Sequence, residues 1–167
     1  MRHYFLLLIS WLVRTSTMWL PESSAISRIR GSLYGLFMSH CGKNFQVSGD
    51  VRIINLENFS VGDDVYLAPG VIVNAITSIQ LSSEVMIGFN CVLISGNHTL
   101  CGKSYRFGKS VLKPIKIGAG AWVAANCTVV AGAEIGCGSL VGANSVVVGV
   151  LPPFGKYGGI PAKYLGG

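Results

Sequence analysis

Charge is what this chain has least of. Only 12% of its 167 residues are charged, and seven acids stand against 13 lysines and arginines, for a net charge of +6. Histidine is scarce as well: His3, His40 and His98 are far apart, which argues against a multi-histidine metal centre. The five cysteines, Cys41, Cys91, Cys101, Cys127 and Cys137, include no CxxC pair. Their odd number and scattered spacing fit free thiols in a reducing compartment, with Cys101 as the exposed one. No nucleic-acid-binding motif is present. No apolar run spans a bilayer either: YFLLLISWLV at 4–13 falls well short of the roughly 20 residues required, and Arg14, Thr15 and Ser16 block its extension. Arg2 before that run and Ser23-Ser24-Ala25 after it have the outline of a signal peptide, but Pro21 and Glu22 sit badly for cleavage.

What charge there is, is unevenly placed. Residues 1–43 hold Arg2, Arg14, Arg28, Arg30 and Lys43 against Glu22 alone, and residues 99–116 hold Lys103, Arg106, Lys109, Lys113 and Lys116 with no acid. Such surfaces attract phosphorylated small molecules or anionic membranes. Half of the residues are hydrophobic, ample for the core of one domain.

The dominant pattern is a period of six between Ile117 and Val148. Aliphatic residues fall at Ile117, Val123, Val129, Ile135, Val141 and Val147. Two before each of the last five is a small side chain: Ala121, Cys127, Ala133, Ser139 and Ser145. Three after each of the first five comes Gly or Asn: Gly120, Asn126, Gly132, Gly138 and Asn144. Residues two apart on a strand share a face, so small-then-aliphatic makes a short strand with one inward side. Gly and Asn enter positive φ at little cost and supply a bend. A strand this short cannot bury its face alone, so successive units stack into a β-solenoid.

The string IGAGAWVAANCTVVAGAEIGCGSLVGANSVVV followed by GGIPAK resembles the hexapeptide-repeat acyltransferases, over roughly Val47 to Lys163. The resemblance implies a mostly β fold, a left-handed parallel β-helix with three hexads per coil. The handedness comes from the resemblance alone, since general crossover rules favour the right hand. The sugar and polysaccharide O-acetyltransferase branch is the nearest in pattern. The long helical N-terminal domain of the serine acetyltransferases is missing.

Three segments follow: an N-terminal helical part at 1–43, the β-helix at 44–150 with an excursion loop at 99–112, and a proline- and glycine-rich strap at 151–167. Residues 4–13 form a helix that lies on a membrane or packs on the solenoid end or a partner chain; Trp11 and Trp19 suit a membrane interface. Pro21 ends it. Ser23 or Ser24 caps a second helix running to about His40, with Ile26, Ile29, Leu33, Leu36 and Phe37 as its apolar face. Hexads start loosely at Val47 and Ile53, shift at Phe59–Val61, slip by two residues after Val73, and turn corners at Asp64, Gly70, Glu84, Asn90 and Gly96. Residues 99–112 carry no hexad.

His98 is the one histidine in the repeats, outward and directly before the loop. By the resemblance it is the catalytic base, taking a proton from a sugar hydroxyl that attacks acetyl-CoA, with no metal. The family pattern often has an acid soon after this histidine; here Thr99, Leu100 and Cys101 follow, and a backbone carbonyl takes over its orientation. Trp122 points outward, as a subunit contact or beside the acetyl-CoA. Ala125 and Ala143 match positions whose backbone holds the pantetheine arm, and Lys163 matches a basic residue near the CoA phosphate. Val148 and Gly149 stand where relatives have a cation, so phosphate contacts shift towards Lys156 or Lys163. Asn74 stands near an acceptor-binding position. The resemblance also implies a homotrimer with sites between subunits, a sugar or glycan acceptor, and a cytoplasmic location; the N-terminal residues add a contact of 1–20 with the inner face of the cytoplasmic membrane. Two other readings stay open: N-acetylation of an amino-sugar or antibiotic, and a catalytically silent scaffold.

Overall fold

After each short strand the backbone turns left-handed, and these corners stack. A computed structural model describes residues 2–166. Asn44, Asp64, Glu84, Gly120 and Gly138 all have positive φ at one corner, and Gly70, Asn90, Asn126 and Asn144 at the next. Between corners run three parallel sheets. The first face contains His40–Cys41, Phe59–Val61, Ile79–Leu81, Ile115–Ile117, Glu134–Ile135 and Val150–Leu151. The second contains Gln46–Val47, Tyr66–Leu67, Met86–Ile87, Trp122–Val123, Leu140–Val141 and Lys156–Gly158, closed by antiparallel Lys163–Gly166. The third contains Arg52–Ile54, Ile72–Asn74, Val92–Ile94, Thr128–Val129 and Val146–Val147. The aliphatic column Val47, Leu67, Ile87, Val123 and Val141 fills the interior and is fully buried.

Coil length changes along the stack. Gln46 pairs with Tyr66 and Tyr66 with Met86, 20 residues per coil, whereas Trp122 pairs with Leu140, 18 residues on. The two extra residues sit at the corner between third and first faces, where Leu56–Asn58 makes a 3-10 turn. An even insertion keeps the inward column inward. Gly96 is not a corner: it lies in a strand, Gly96–His98, of the excursion. The last segment is less irregular than its prolines suggest, because the strand ladder runs through Gly158.

Two helices cover the first coil: α1 (Arg2–Thr17) and α2 (Ser24–Gly35). Ser23 caps α2, its hydroxyl accepting from the Ile26 N–H at 3.3 Å. α2 stops at Gly35, short of His40, because His40–Cys41 is drawn into the first face against Ser60–Val61. Its buried side is Ser27, Arg30, Gly31 and Tyr34, while Ile29, Leu33 and Leu36 face outward; of the expected apolar face, Ile26 is half-buried and Phe37 packs on the core. Gly31 lies so close to the first coil that a β-carbon there would sit 1.9 Å from the Phe45 carbonyl oxygen. Arg30 is 1% exposed. Its guanidinium donates to the Thr17 and Leu20 carbonyls at 3.0 and 2.9 Å and to Glu22 Oε1 at 3.0 Å, and Glu22 accepts from Gly49 N–H at 2.8 Å. The Thr17 carbonyl ends α1 and also accepts from the Leu20 N–H at 3.0 Å in the turn that follows. Burial pushes the nearby Tyr34 hydroxyl up to about 12.

Removing one partner from so buried a network strands the others. Arg30→Met is expected to cost roughly 3 kcal/mol in denaturant unfolding, while Ile29→Ser costs under about 0.5 kcal/mol. The reverse order would put the apolar side of α2 in the core.

Candidate active site

Ile94 and Ser95 end a third-face hexad, and the chain then leaves the solenoid as a hairpin. Gly96–His98 runs antiparallel to Ser110–Leu112, with His98 opposite Ser110. His98 therefore lies on the outgoing arm of the excursion and not before it: pairing the two arms satisfies backbone groups that would otherwise leave the solenoid bare. Thr99 fastens the next rung, its N–H and hydroxyl both donating to the Lys109 carbonyl at 3.0 Å. Gly108 permits that closure, since a β-carbon there would fall 1.5 Å from the Thr99 carbonyl oxygen. At the base, the Lys113 N–H donates to the Ser95 carbonyl at 3.1 Å.

The His98 side chain is exposed, and among the described residues its ring has no hydrogen-bond partner; the backbone carbonyl expected to orient it is not there. Further out, the hairpin tip exposes Leu100, Tyr105 and Phe107, with the Arg106 guanidinium 5.8 Å from the Phe107 ring centroid. Charge counting singles out Lys103, Arg106 and Lys109 but misses these interleaved aromatics, although Tyr105-Arg106-Phe107 is legible as such.

Asn74 belongs to the same edge of the prism as His98. It ends the strand one coil below Val92–Ile94, and its carbonyl accepts from the Ser95 N–H at 3.2 Å. Asn55 Nδ2 donates to Asn74 Oδ1 at 3.4 Å, which leaves the Asn74 amide N–H groups free.

The remaining candidates gather elsewhere. Trp122 stands out from the second face between Met86 and Leu140 and is 44% exposed. With Tyr66, Met86, Phe89 and Ala125 it lines a nearly all-apolar cavity of about 270 Å³. Phe89, which sequence reasoning passes over, is a large aromatic at a corner otherwise occupied by Ala125 and Ala143. Those alanines stack at the edge between second and third faces, joined by an Asn144 N–H to Ala125 carbonyl bond of 2.9 Å. Their own N–H groups have no partner among the described residues and open onto the surface. The turn after Gly158 lies over this edge, with Ala162 N–H donating to the Val146 carbonyl at 2.8 Å, and leads to exposed Lys163. Within one chain, then, Trp122, Ala125, Ala143 and Lys163 follow one edge while His98 and Asn74 occupy another, one solenoid side away. A groove of about 400 Å³ on the first face, crossed by the Lys116–Glu134 pair at 3.2 Å, holds none of them. Among the described residues no three metal-ligating side chains converge.

No family model matches the chain. It is 26% identical over 126 residues to galactoside O-acetyltransferase of Escherichia coli, which covers 75% of this chain and 52% of that protein. It is 29% identical over 138 residues to a candidate lipopolysaccharide-biosynthesis O-acetyl transferase of the same organism, covering 77% and 67%. The chain thus spans about half the length of the first relative. Its fold matches a hexapeptide-repeat acetyltransferase of Vibrio cholerae solved with acetyl-CoA, at a TM-score of 0.84 and 23% identity, over 97% of this chain and 86% of that one. In sequence and in fold the chain is thus similar to the hexapeptide-repeat acetyltransferases. The solenoid matches the left-handed β-helix of those acetyltransferases.

All five thiols of this hexapeptide-repeat chain are free. Cys91 and Cys127 stack in the interior, pointing at the Ala124 and Gly142 carbonyls at 2.9 and 3.1 Å. Hydrogen bonding with Cys127 and burial push the Cys91 thiol well up. Cys101 is exposed on the hairpin, but Cys137 is exposed too, at a corner where no inward column protects it. A thiol reagent is therefore expected to modify Cys101 and Cys137 at once in the native protein, Cys41 slowly, and Cys91 and Cys127 only after unfolding. Peptide mapping of the adducts checks the order.

Proposed function

We propose that the protein is an acetyl-CoA-dependent O-acetyltransferase that esterifies a sugar hydroxyl in the assembly of a bacterial surface polysaccharide. On this reading it works as a homotrimer in the cytoplasm, with residues 1–20 against the inner face of the cytoplasmic membrane. One observation carries the reading: His98 stands exposed and, among the described residues, free of internal bonds on a hairpin at one edge, while an apolar cavity and a column of small residues line another. Neither edge makes a site by itself. Threefold packing sets the His98 edge of one chain against the Trp122–Ala143 edge of the next.

The residues present suit the two substrates. Ala125 and Ala143 leave room and free N–H groups for an amide-bearing arm, Trp122, Met86 and Phe89 give it an apolar wall, and Lys163 lies at the same edge for a phosphate. Neutral His98 takes the proton of the sugar hydroxyl as its oxygen attacks the thioester carbonyl. The C–O ester bond forms, the C–S bond breaks, and the imidazolium returns its proton to the CoA thiolate. Asn74, beside the hairpin base, donates to an acceptor oxygen.

A general base of this kind contributes about 10²–10⁴-fold. His98→Ala is expected to lower kcat/KM for acceptor-dependent CoA release by about a thousandfold; rates equal to wild type reject the assignment, and an acceptor panel of sugars and amines separates ester from amide formation. Mixed assemblies test the shared site. Co-refolding His98→Ala chains with Ala143→Trp chains restores activity where each site draws on two chains, and restores none where one chain supplies everything.

A further inference from the structure

Both N-terminal helices keep large apolar side chains on their outer faces. α1 buries Leu6, Ser10 and Thr17, with Val13 packed on the core beside them, and Ser10 Oγ donates to the Ile53 carbonyl of the first coil. Its outer face is Tyr4, Phe5, Leu8, Trp11 and Leu12, spaced as one helical stripe, exposed from 44% at Leu12 to 76% at Tyr4 and carrying no charge. Trp19, 84% exposed, follows it. A stripe of this size on a free surface is a site that meets an apolar medium. No helix among the described residues is long and apolar enough to cross a membrane.

At the rim of the stripe lies a cleft of about 210 Å³ between α1 and the Arg52–Ile54 strand, lined by Trp11, Arg14, Arg52 and Ile54 among others. No acid lines it, and among the described residues neither arginine is paired with a carboxylate. A second copy seated face to face on the stripe would bring two such arginine pairs together with nothing to offset them. A bilayer of anionic phospholipid meets both features at once: acyl chains take the stripe, and headgroup phosphates take the arginines. We infer that the outer face of α1 docks the protein on an anionic phospholipid surface, with Arg14 and Arg52 holding a headgroup phosphate.

The hairpin is close to that face. α1 packs on the Leu56–Asn58 corner, Asn58 Nδ2 donates to the Ala75 and Ile76 carbonyls one coil up at 3.0 and 3.1 Å, and Thr77 N–H donates to Ser95 Oγ at the hairpin base at 2.9 Å. Two coil spacings of about 4.8 Å separate the docked helix from the excursion that bears His98, so docking brings that hairpin to the lipid surface and to glycans carried on it. The inference takes its location from the proposed function and is independent of the chemistry.

The test is flotation of the full chain with vesicles of phosphatidylglycerol and phosphatidylethanolamine, against vesicles of phosphatidylcholine alone, with CoA release from a water-soluble acceptor measured in parallel. Wild type is expected to float with the anionic vesicles and to be released by high salt. Leu8→Glu with Leu12→Glu weakens partitioning by at least about tenfold, and Arg14→Gln and Arg52→Gln weaken it by about fivefold each, all with CoA release unchanged. Equal binding to both vesicle types, binding that survives the glutamates, or variants that change oligomer size or lose CoA release without vesicles would overturn the inference. A wild type that floats but releases no CoA overturns the proposed chemistry and leaves the docking standing.

Discussion

The ladder of parallel hydrogen bonds between coils fixes what the rest of the chain is allowed to do. It holds only while each strand lies under its counterpart, and from each aliphatic column to the next the net step is an even number of residues. The early coils obey this with two extra residues each at one corner. The hairpin obeys it too: Leu93 and Ile117 are 24 residues apart, one hexad plus 18, and both remain buried. The scaffold thus tolerates a large functional insertion without repacking.

That regularity also limits what one chain can assemble. Outward side chains on a prism diverge from edge to edge, so residues on different faces never converge however well each is placed. The separation of His98 and Asn74 from Trp122, Ala125 and Ala143 is a property of the three-sided cross-section and not of any local irregularity. Under the proposed threefold packing the same divergence becomes useful. Each chain offers one half-site at each of two edges, and the hairpin supplies the reach across the gap.

The solenoid was legible because its signal is local and repeated: a small residue, an aliphatic one and a left-handed corner recur within six positions, and each copy corroborates the next. Asp64 and Glu84 at corners follow from that phase, Asp64 as a residue type that enters positive φ readily and Glu84 although it is not one. The hairpin was legible only as an interruption. Its true start at Gly96 depends on pairing with Ser110–Leu112 across a loop that has no period, and the contacts of His98 depend on that geometry. Phe89 and the hairpin aromatics went unnoticed since a single aromatic carries meaning only once its neighbours in space are known.

The buried side of α2 was misjudged for a physical reason that reaches further. Apolar spacing finds the core face of a helix when the surface beneath it is apolar. The first coil presents something else, an open strand edge of bare carbonyls and N–H groups. Against it the useful contacts are the Ser10 hydroxyl on Ile53, a glycine against Phe45, Glu22 on the Gly49 N–H, and a guanidinium that satisfies the end of α1. The edge therefore admits polar and small residues on the inner sides of both helices, beside the apolar Leu6, Val13 and Tyr34. It places no demand on the outer sides, where water would favour polar residues. That α1 instead carries Phe5, Leu8, Trp11 and Leu12 there is a second, separate selection, and it points to the medium that the helix faces.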